Sequence, residues 1–224
     1  MFFTELAEQV ITAEPATRDE LEQMLTAPEA QTFTMVDAAS SLRYRFFQNT
    51  VKLGNLYSNG SGFEGKVLEI APDLTNEDIA ADIAQIAGTK DTITVDFLQL
   101  EEHNSLPAMR ALRILAATRV AAPRATLVVG EGRADTLQSL QPLALHIANA
   151  LVLADREAEN GTLVLADLTM ITDGRFKVLG AENRDLLAEH KEFMDAHGFA
   201  LPEVAPTSGG CGGNCACGSG GCGA

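Results

Sequence analysis

The 224-residue chain has no tryptophan, and aromatic side chains make up 5% of it. Its apolar content of 46% is therefore carried mainly by small and aliphatic side chains, a profile suited to packing helices on a sheet. Positive charge is scarce as well: 16 Lys and Arg stand against 31 Asp and Glu, a net charge of −15. Such a surface repels phosphate backbones and anionic lipid, so neither nucleic acid nor a membrane is an expected partner. No run approaches the roughly 20 apolar residues of a membrane span. The start, MFFTELAEQVITAEP, carries no basic stretch, and Glu5 and Glu8 interrupt any signal-like apolar core. Cysteine is missing from the whole body, since Cys211, Cys215, Cys217 and Cys222 all fall within the last fourteen residues. A secreted scaffold would spread its cysteines to staple distant loops. The expectation is a cytosolic protein with one full core.

What is present is organised around a strand–helix–strand unit. TITVDFL (Thr92–Leu98) reads as a strand, and PAMRALRILAATRVA (Pro107–Ala121) as a helix with proline in its first turn. ATLVV (Ala125–Val129) follows as a second strand and runs into Gly130-Glu-Gly-Arg133. Units of this kind wind right-handed in parallel sheets and carry their functional loops at the carboxyl ends of the strands. Upstream, Thr17-Arg-Asp-Glu20 and Thr75-Asn-Glu-Asp78 are capping-box patterns. Between them, Met35, Ala39, Leu42, Phe46 and Phe47 fall near one helical face, read as core packing. Ser58–Lys66 is a turn-rich linker. Downstream, Asp135 reads as the cap of a helix broken at Pro142, Leu151–Leu153 as a short strand and Thr162–Thr172 as a helix. Phe176–Leu179 reads as extended, and Glu182–His197 as an amphipathic helix closed by Gly198.

The order VDFL, RILAATRVAAPRATL, GEGR and LALHIANAL resembles the C-terminal part of biotin synthases, the biotin and thiamin synthesis-associated region of a radical S-adenosylmethionine enzyme. RYRFFQNTVKL (Arg43–Leu53) is similar to the helix and first barrel strand at the start of that family. The resemblance implies an α/β fold: a partial, half TIM-type β/α barrel with N-terminal helices and a disordered Cys/Gly-rich tail. The divisions are 1–57 (helices and first strand), 58–70 (linker), 71–200 (partial barrel) and 201–224 (tail). Three to five strands are expected, with the sheet edge covered by the N-terminal helices or by a second chain. In the family the first strand leads to C-x3-C-x2-C, which holds the radical-generating cluster. Here VKLGNLY leads to SNGSGFEGK, with no cysteine. The chain is therefore not expected to be a self-sufficient radical enzyme.

The tail spacing C-x3-C-x-C-x4-C, separated almost wholly by glycine, suits four thiolates wrapping one centre. Incidental thiols or disulfides formed on oxidation would show the same composition. The resemblance implies an iron–sulfur cluster on Cys211, Cys215, Cys217 and Cys222, with zinc as the alternative. It also implies a cofactor-binding role for Arg133, the family's cluster-ligating arginine, and places Asp96 where members often have an asparagine contacting dethiobiotin. Taken alone, Arg133 is equally a loop arginine that binds a carboxylate. The basic residue of the same family strand is Val128 here. His103, His146, His190 and His197 show no ligand spacing, and Asp155, Glu157 and Glu159 read as solvated surface. No nucleophile–base pair is legible, so no catalytic residue is assigned. The expected function is an iron–sulfur accessory or sulfur-supplying partner in biotin synthesis, docking to a full-length biotin synthase or forming a homo-oligomer. The alternatives are a subunit of a split synthase acting on dethiobiotin and a degenerate, metal-binding structural paralogue.

Overall fold

The structure is a computed structural model that describes residues 2–12, 14–56, 62–99 and 106–202. Helices α1 (Phe2–Thr12), α2 (Arg18–Thr26) and α3 (Thr32–Phe47) lead into strand β1 (Thr50–Gly54). Then come β2 (Lys66–Ile70), α4 (Asn76–Ala84), β3 (Thr92–Phe97), α5 (Ala108–Ala121) and β4 (Thr126–Val129). The rest is α6 (Arg133–Leu137), α7 (Gln141–Leu145), β5 (Ala150–Val152), α8 (Thr162–Asp173), β6 (Lys177–Val178) and α9 (Leu186–Ala196). Both expected capping boxes form: Thr17 with Glu20 at α2, and Thr75 with Asp78 at α4.

The six strands make one sheet in the order β2-β3-β4-β5-β1-β6, and every pairing is parallel. With helices between most successive strands, this is a partial β/α barrel. Two expectations change. Among the described residues the strand count is six rather than three to five. Residues 66–70, placed in the linker, form edge strand β2, whose Lys66 and Glu69 disguise it as a loop. Strand β1, expected as the first barrel strand, lies inside the sheet, hydrogen-bonded to β5 on one side and β6 on the other.

The core lies between the sheet and the helices. Ile93, Val95, Phe97, Leu127, Val129, Leu151 and Val51 are buried from the sheet, and Met35, Ala39 and Leu42 from α3. Helix α5 is buried from Ala111 to Ala121 almost all round, with the partly exposed Arg113 as its exception. The reason is a second helical layer: α1 packs on α3 and α5, and α2 packs on α4 and α5. The N-terminal helices thus cover α5 rather than a sheet edge, which leaves a second chain as the expected cover of that edge. On β2 and β3 burial alternates. Leu68, Ile70, Ile93 and Val95 are buried, while Val67, Glu69, Thr94 and Asp96 are exposed or half-buried. Register pairs Val67 with Thr94 and Glu69 with Asp96, so the less buried set shares one face.

Two fully buried arginines tie this core together. Arg119 on α5 donates to the carbonyls of Ile147 (2.9 Å) and Ala125 (2.9 Å) and to Asn149 Oδ1 (2.7 Å), which also accepts from the Leu127 amide. Arg43 on α3 donates to Thr50 O (2.7 Å) and Ala148 O (3.3 Å), and its guanidinium lies 4.8 Å from the Tyr44 and Phe176 ring centroids. Burial, then the like charge of Arg43, pushes Arg119 down to about 9, so it keeps its charge at neutral pH. Half-buried His146 lies beside this pair, hydrogen-bonded to the Tyr44 hydroxyl (3.1 Å) and edge-on to Phe176. No helix among the described residues is long and apolar enough to cross a membrane.

Arg119→Met should cost roughly 2–4 kcal/mol, because it leaves several buried carbonyls and Asn149 without their donor. Urea unfolding measures this, and a loss under 1 kcal/mol would remove Arg119 from its organising role. For His146, burial first and the charge of Arg43 second lower the pKa. The unfolded chain then binds the proton before the folded one does. The His146 contribution is fully present above about pH 6.5 and is lost as pH falls through the lower folded-state value. His146→Phe should shrink the stability difference between pH 7.5 and pH 5. An unchanged difference would assign that pH dependence to other groups.

Candidate functional site

The carboxyl ends of the strands hold the candidate site. After β4 the chain passes through Gly130, Glu131 and Gly132 before α6 begins at Arg133. This loop is clamped to the end of β3: Gly130 N donates to Val95 O (3.0 Å), and Phe97 N donates to Glu131 O (3.0 Å). Asp96 Oδ1 accepts from the Glu131 amide at 2.8 Å. The glycines permit that approach. A Cβ on Gly130 would sit 1.9 Å from Asp96 Oδ1, and one on Gly132, whose φ is +69°, would sit 1.8 Å from Phe97 O. Gly132, not Asp135, precedes α6, and Asp135 lies inside the helix. Asp96 therefore spends one oxygen on fixing the loop that presents Arg133.

Arg133 projects into a buried ion pair. Its Nη2 donates to Asp167 Oδ2 of α8 at 2.5 Å, and its Nη1 donates to Gln141 Oε1 of α7. The two charged side chains are 11% and 8% exposed. Burial raises the Asp167 pKa, and the Arg133 charge pulls it back down. Both residues line a cavity of ≈ 600 Å³ on the less buried face of the sheet. Asn55, Val67, Thr94, Asp96, Val152 and Leu163 contribute to its wall. Asp155, read from sequence as solvated surface, is exposed but lines the cavity too and accepts from Asn55 Nδ2 at 3.2 Å.

The expected residues are not all brought together. Arg133 and Asp96 share the cavity, and Val128 is buried in register with Thr94 and Ala150. The four cysteines and His103 lie outside the described residues. His190 Nε2 is hydrogen-bonded to Gly161 O (2.8 Å) and His197 Nδ1 to Phe193 O (2.8 Å). Among the described residues no group of three or more His, Cys, Asp or Glu could hold a metal ion. Asp167 and Gln141 were missed. Asp167 had a readable signal, as a lone carboxylate in the apolar run TLVLADLTMI.

Comparison with known proteins now has a geometry to attach to. Residues 93–193, from β3 to α9, match the Biotin and Thiamin Synthesis associated domain family. The chain carries a biotin synthase-type C-terminal region. It is 35% identical over 128 residues to a biotin synthase of Streptomyces avermitilis, covering 54% of this chain and 29% of that protein. Against a biotin synthase of Nocardioides sp. identity is 40% over 98 residues, covering 41% of this chain and 26% of the relative. For Renibacterium salmoninarum biotin synthase the figures are 43% over 74 residues, 33% and 22%. The chain thus spans under a third of the length of these curated relatives.

Gly132→Ala should destabilise the fold by roughly 1–3 kcal/mol, through the positive φ and the contact with Phe97 O. Chemical denaturation tests it, and wild-type stability would show that the loop tolerates a side chain there.

Proposed function

We propose that the chain is an accessory protein of biotin synthesis. In this reading Cys211, Cys215, Cys217 and Cys222 hold one iron–sulfur cluster, and the protein docks to a full-length biotin synthase, where it supplies or protects sulfur. One observation carries the reading: a biotin synthase-type region continues into four closely spaced cysteines and has none elsewhere, including the stretch from Asn55 to Gly65 that follows β1. Four thiolates suit an iron–sulfur cluster, with zinc as the alternative occupant. The cavity does not fit such a group. Its described lining has no thiolate, and the Arg133 guanidinium is already engaged by Asp167 and Gln141. This reading takes the tail as the donor set, and the bound cluster would supply transferable sulfide.

A second reading has its own support. Parallel sheets are normally covered on both faces, yet Val67 on edge strand β2 is 54% exposed. That face would receive the complementary half of a split synthase acting on dethiobiotin, supplied by another chain.

Anaerobic purification followed by iron and sulfide analysis tests the first reading. Replacing Cys215 and Cys217 together with serine should abolish bound iron and leave the far-ultraviolet circular dichroism of the body nearly unchanged. Unaltered iron content in that variant would sink the cluster assignment. Given S-adenosylmethionine and a reductant, the purified chain should release no 5′-deoxyadenosine. Its release without a partner would overturn the accessory role.

A further inference from the structure

A second cavity, of ≈ 360 Å³, opens at the other end of the sheet, beside the amino ends of β3 and β4. Its apolar wall is made by Val10 and Ile11 of α1, Pro15, and Pro123 after α5. Lys90 and Arg124, just before β3 and β4, stand exposed at its rim. Neither has a carboxylate partner among the described residues, and no Asp or Glu is among the described residues lining the cavity. The neighbouring Asp91 Oδ2 accepts from the Thr89 hydroxyl (3.0 Å). A third cation backs the wall, since buried Arg119 donates to the Pro123 carbonyl (3.3 Å). In a chain of net charge −15 this is a local reversal of sign, and apolar walls focus such a field. Backbone contacts hold the shape. Gly88 N donates to Ala121 O (2.8 Å), which ties the turn before β3 to the end of α5. A Cβ on Gly88, whose φ is +74°, would lie 3.3 Å from Pro15 Cγ. The Arg124 guanidinium rests 4.9 Å from the centroid of the Phe46 ring.

We propose that this cavity binds an aliphatic monocarboxylate, its head group held between Lys90 and Arg124 and its chain of about six to ten carbons laid against Val10, Ile11, Pro15 and Pro123. Each part has its chemistry. The Arg124 guanidinium offers a planar fork that a carboxylate matches with two hydrogen bonds, and Lys90 adds a compact charge. The apolar wall takes methylene groups out of water, each worth about three- to fourfold in affinity. A cationic ligand would meet like charges at the rim. A second carboxylate at the far end of the chain would fall among apolar side chains with no donor. The site lies away from Arg133 and does not involve the tail, so iron analysis and the following experiment can fail separately.

Isothermal titration of the full chain with octanoate at neutral pH tests this. Expected is a single site whose affinity falls several-fold between low and high salt, because exposed charges hold the head group. Hexanoate, two methylenes shorter, should bind about tenfold more weakly, and octylamine, a cation at that pH, should not bind. Lys90→Gln and Arg124→Gln change exposed side chains and should fold normally. Each should weaken octanoate binding by roughly fivefold, and the double variant should show none. Methyl resonances of Val10 and Ile11 should shift as octanoate saturates the protein, while those of Val152 and Leu163 in the other cavity stay in place. Three results overturn the proposal: no octanoate binding by the wild type, a double variant that binds as tightly as the wild type, or shifts at Val152 and Leu163 without shifts at Val10 and Ile11.

Discussion

Two guanidinium groups with no carboxylate partner among the described residues, Arg43 and Arg119, set the frame on which the fold depends. Their acceptors are the carbonyls of Thr50, Ala125, Ile147 and Ala148 and the side chain of Asn149. All of these lie at or just before the starts of β1, β4 and β5. A lost hydrogen bond there is costly because water cannot replace it. The amino ends of three strands and the helices α3 and α5 are thereby fixed to one another. Stability is concentrated at that end of the sheet, as in β/α barrels generally, and the carboxyl ends are left for binding.

At the opposite end the constraint is of another kind. Gly130 and Gly132 let the loop press onto β3, Asp96 holds its amide, and Arg133 emerges in one place. Precision comes from backbone contact rather than from a hydrophobic plug. The cavity above can therefore stay partly polar without loosening the residue at its centre. Asp167 and Gln141 come from α8 and α7, so the Arg133 cluster joins three helices that are short or late in the chain.

Local signals were legible where the chemistry is local. The Thr17 and Thr75 boxes, the β3–α5–β4 unit and the Gly-rich turn all depend on neighbours within a few residues, and each stands where the sequence put it. Strand β2 escaped because an edge strand can carry Lys66 at its exposed start and Glu69 on its exposed face without penalty, which makes it look like a loop. The insertion of β1 between β5 and β6 was invisible for a different reason, since nothing in Thr50–Gly54 encodes which distant strand will pair with it. Arg133 stood out in the sequence and its ion-pair partner Asp167 did not. An arginine after a glycine turn announces itself, whereas a single aspartate in an apolar helix declares its purpose only when the cavity wall is seen.

The place of β1 also bears on how the chain is made. Lys52 pairs with Ala150 and Val51 with Val178, so β1, the earliest of the described strands, has no partner until β5 and then β6 have been made. At about 5–20 residues per second, that wait is roughly 5–25 s. During it, α1, α2 and α3 can gather around α5 as soon as that helix emerges, since their mutual contacts involve no late strand. Strands β2, β3 and β4 can assemble in sequence order beside them. The nascent sheet then carries an unfilled slot beside β4, closed only when β5 arrives and draws β1 in along its other edge. Closure of a parallel sheet through contacts this distant in sequence is intrinsically slow. It makes the last strands, rather than the first, the ones that complete the fold.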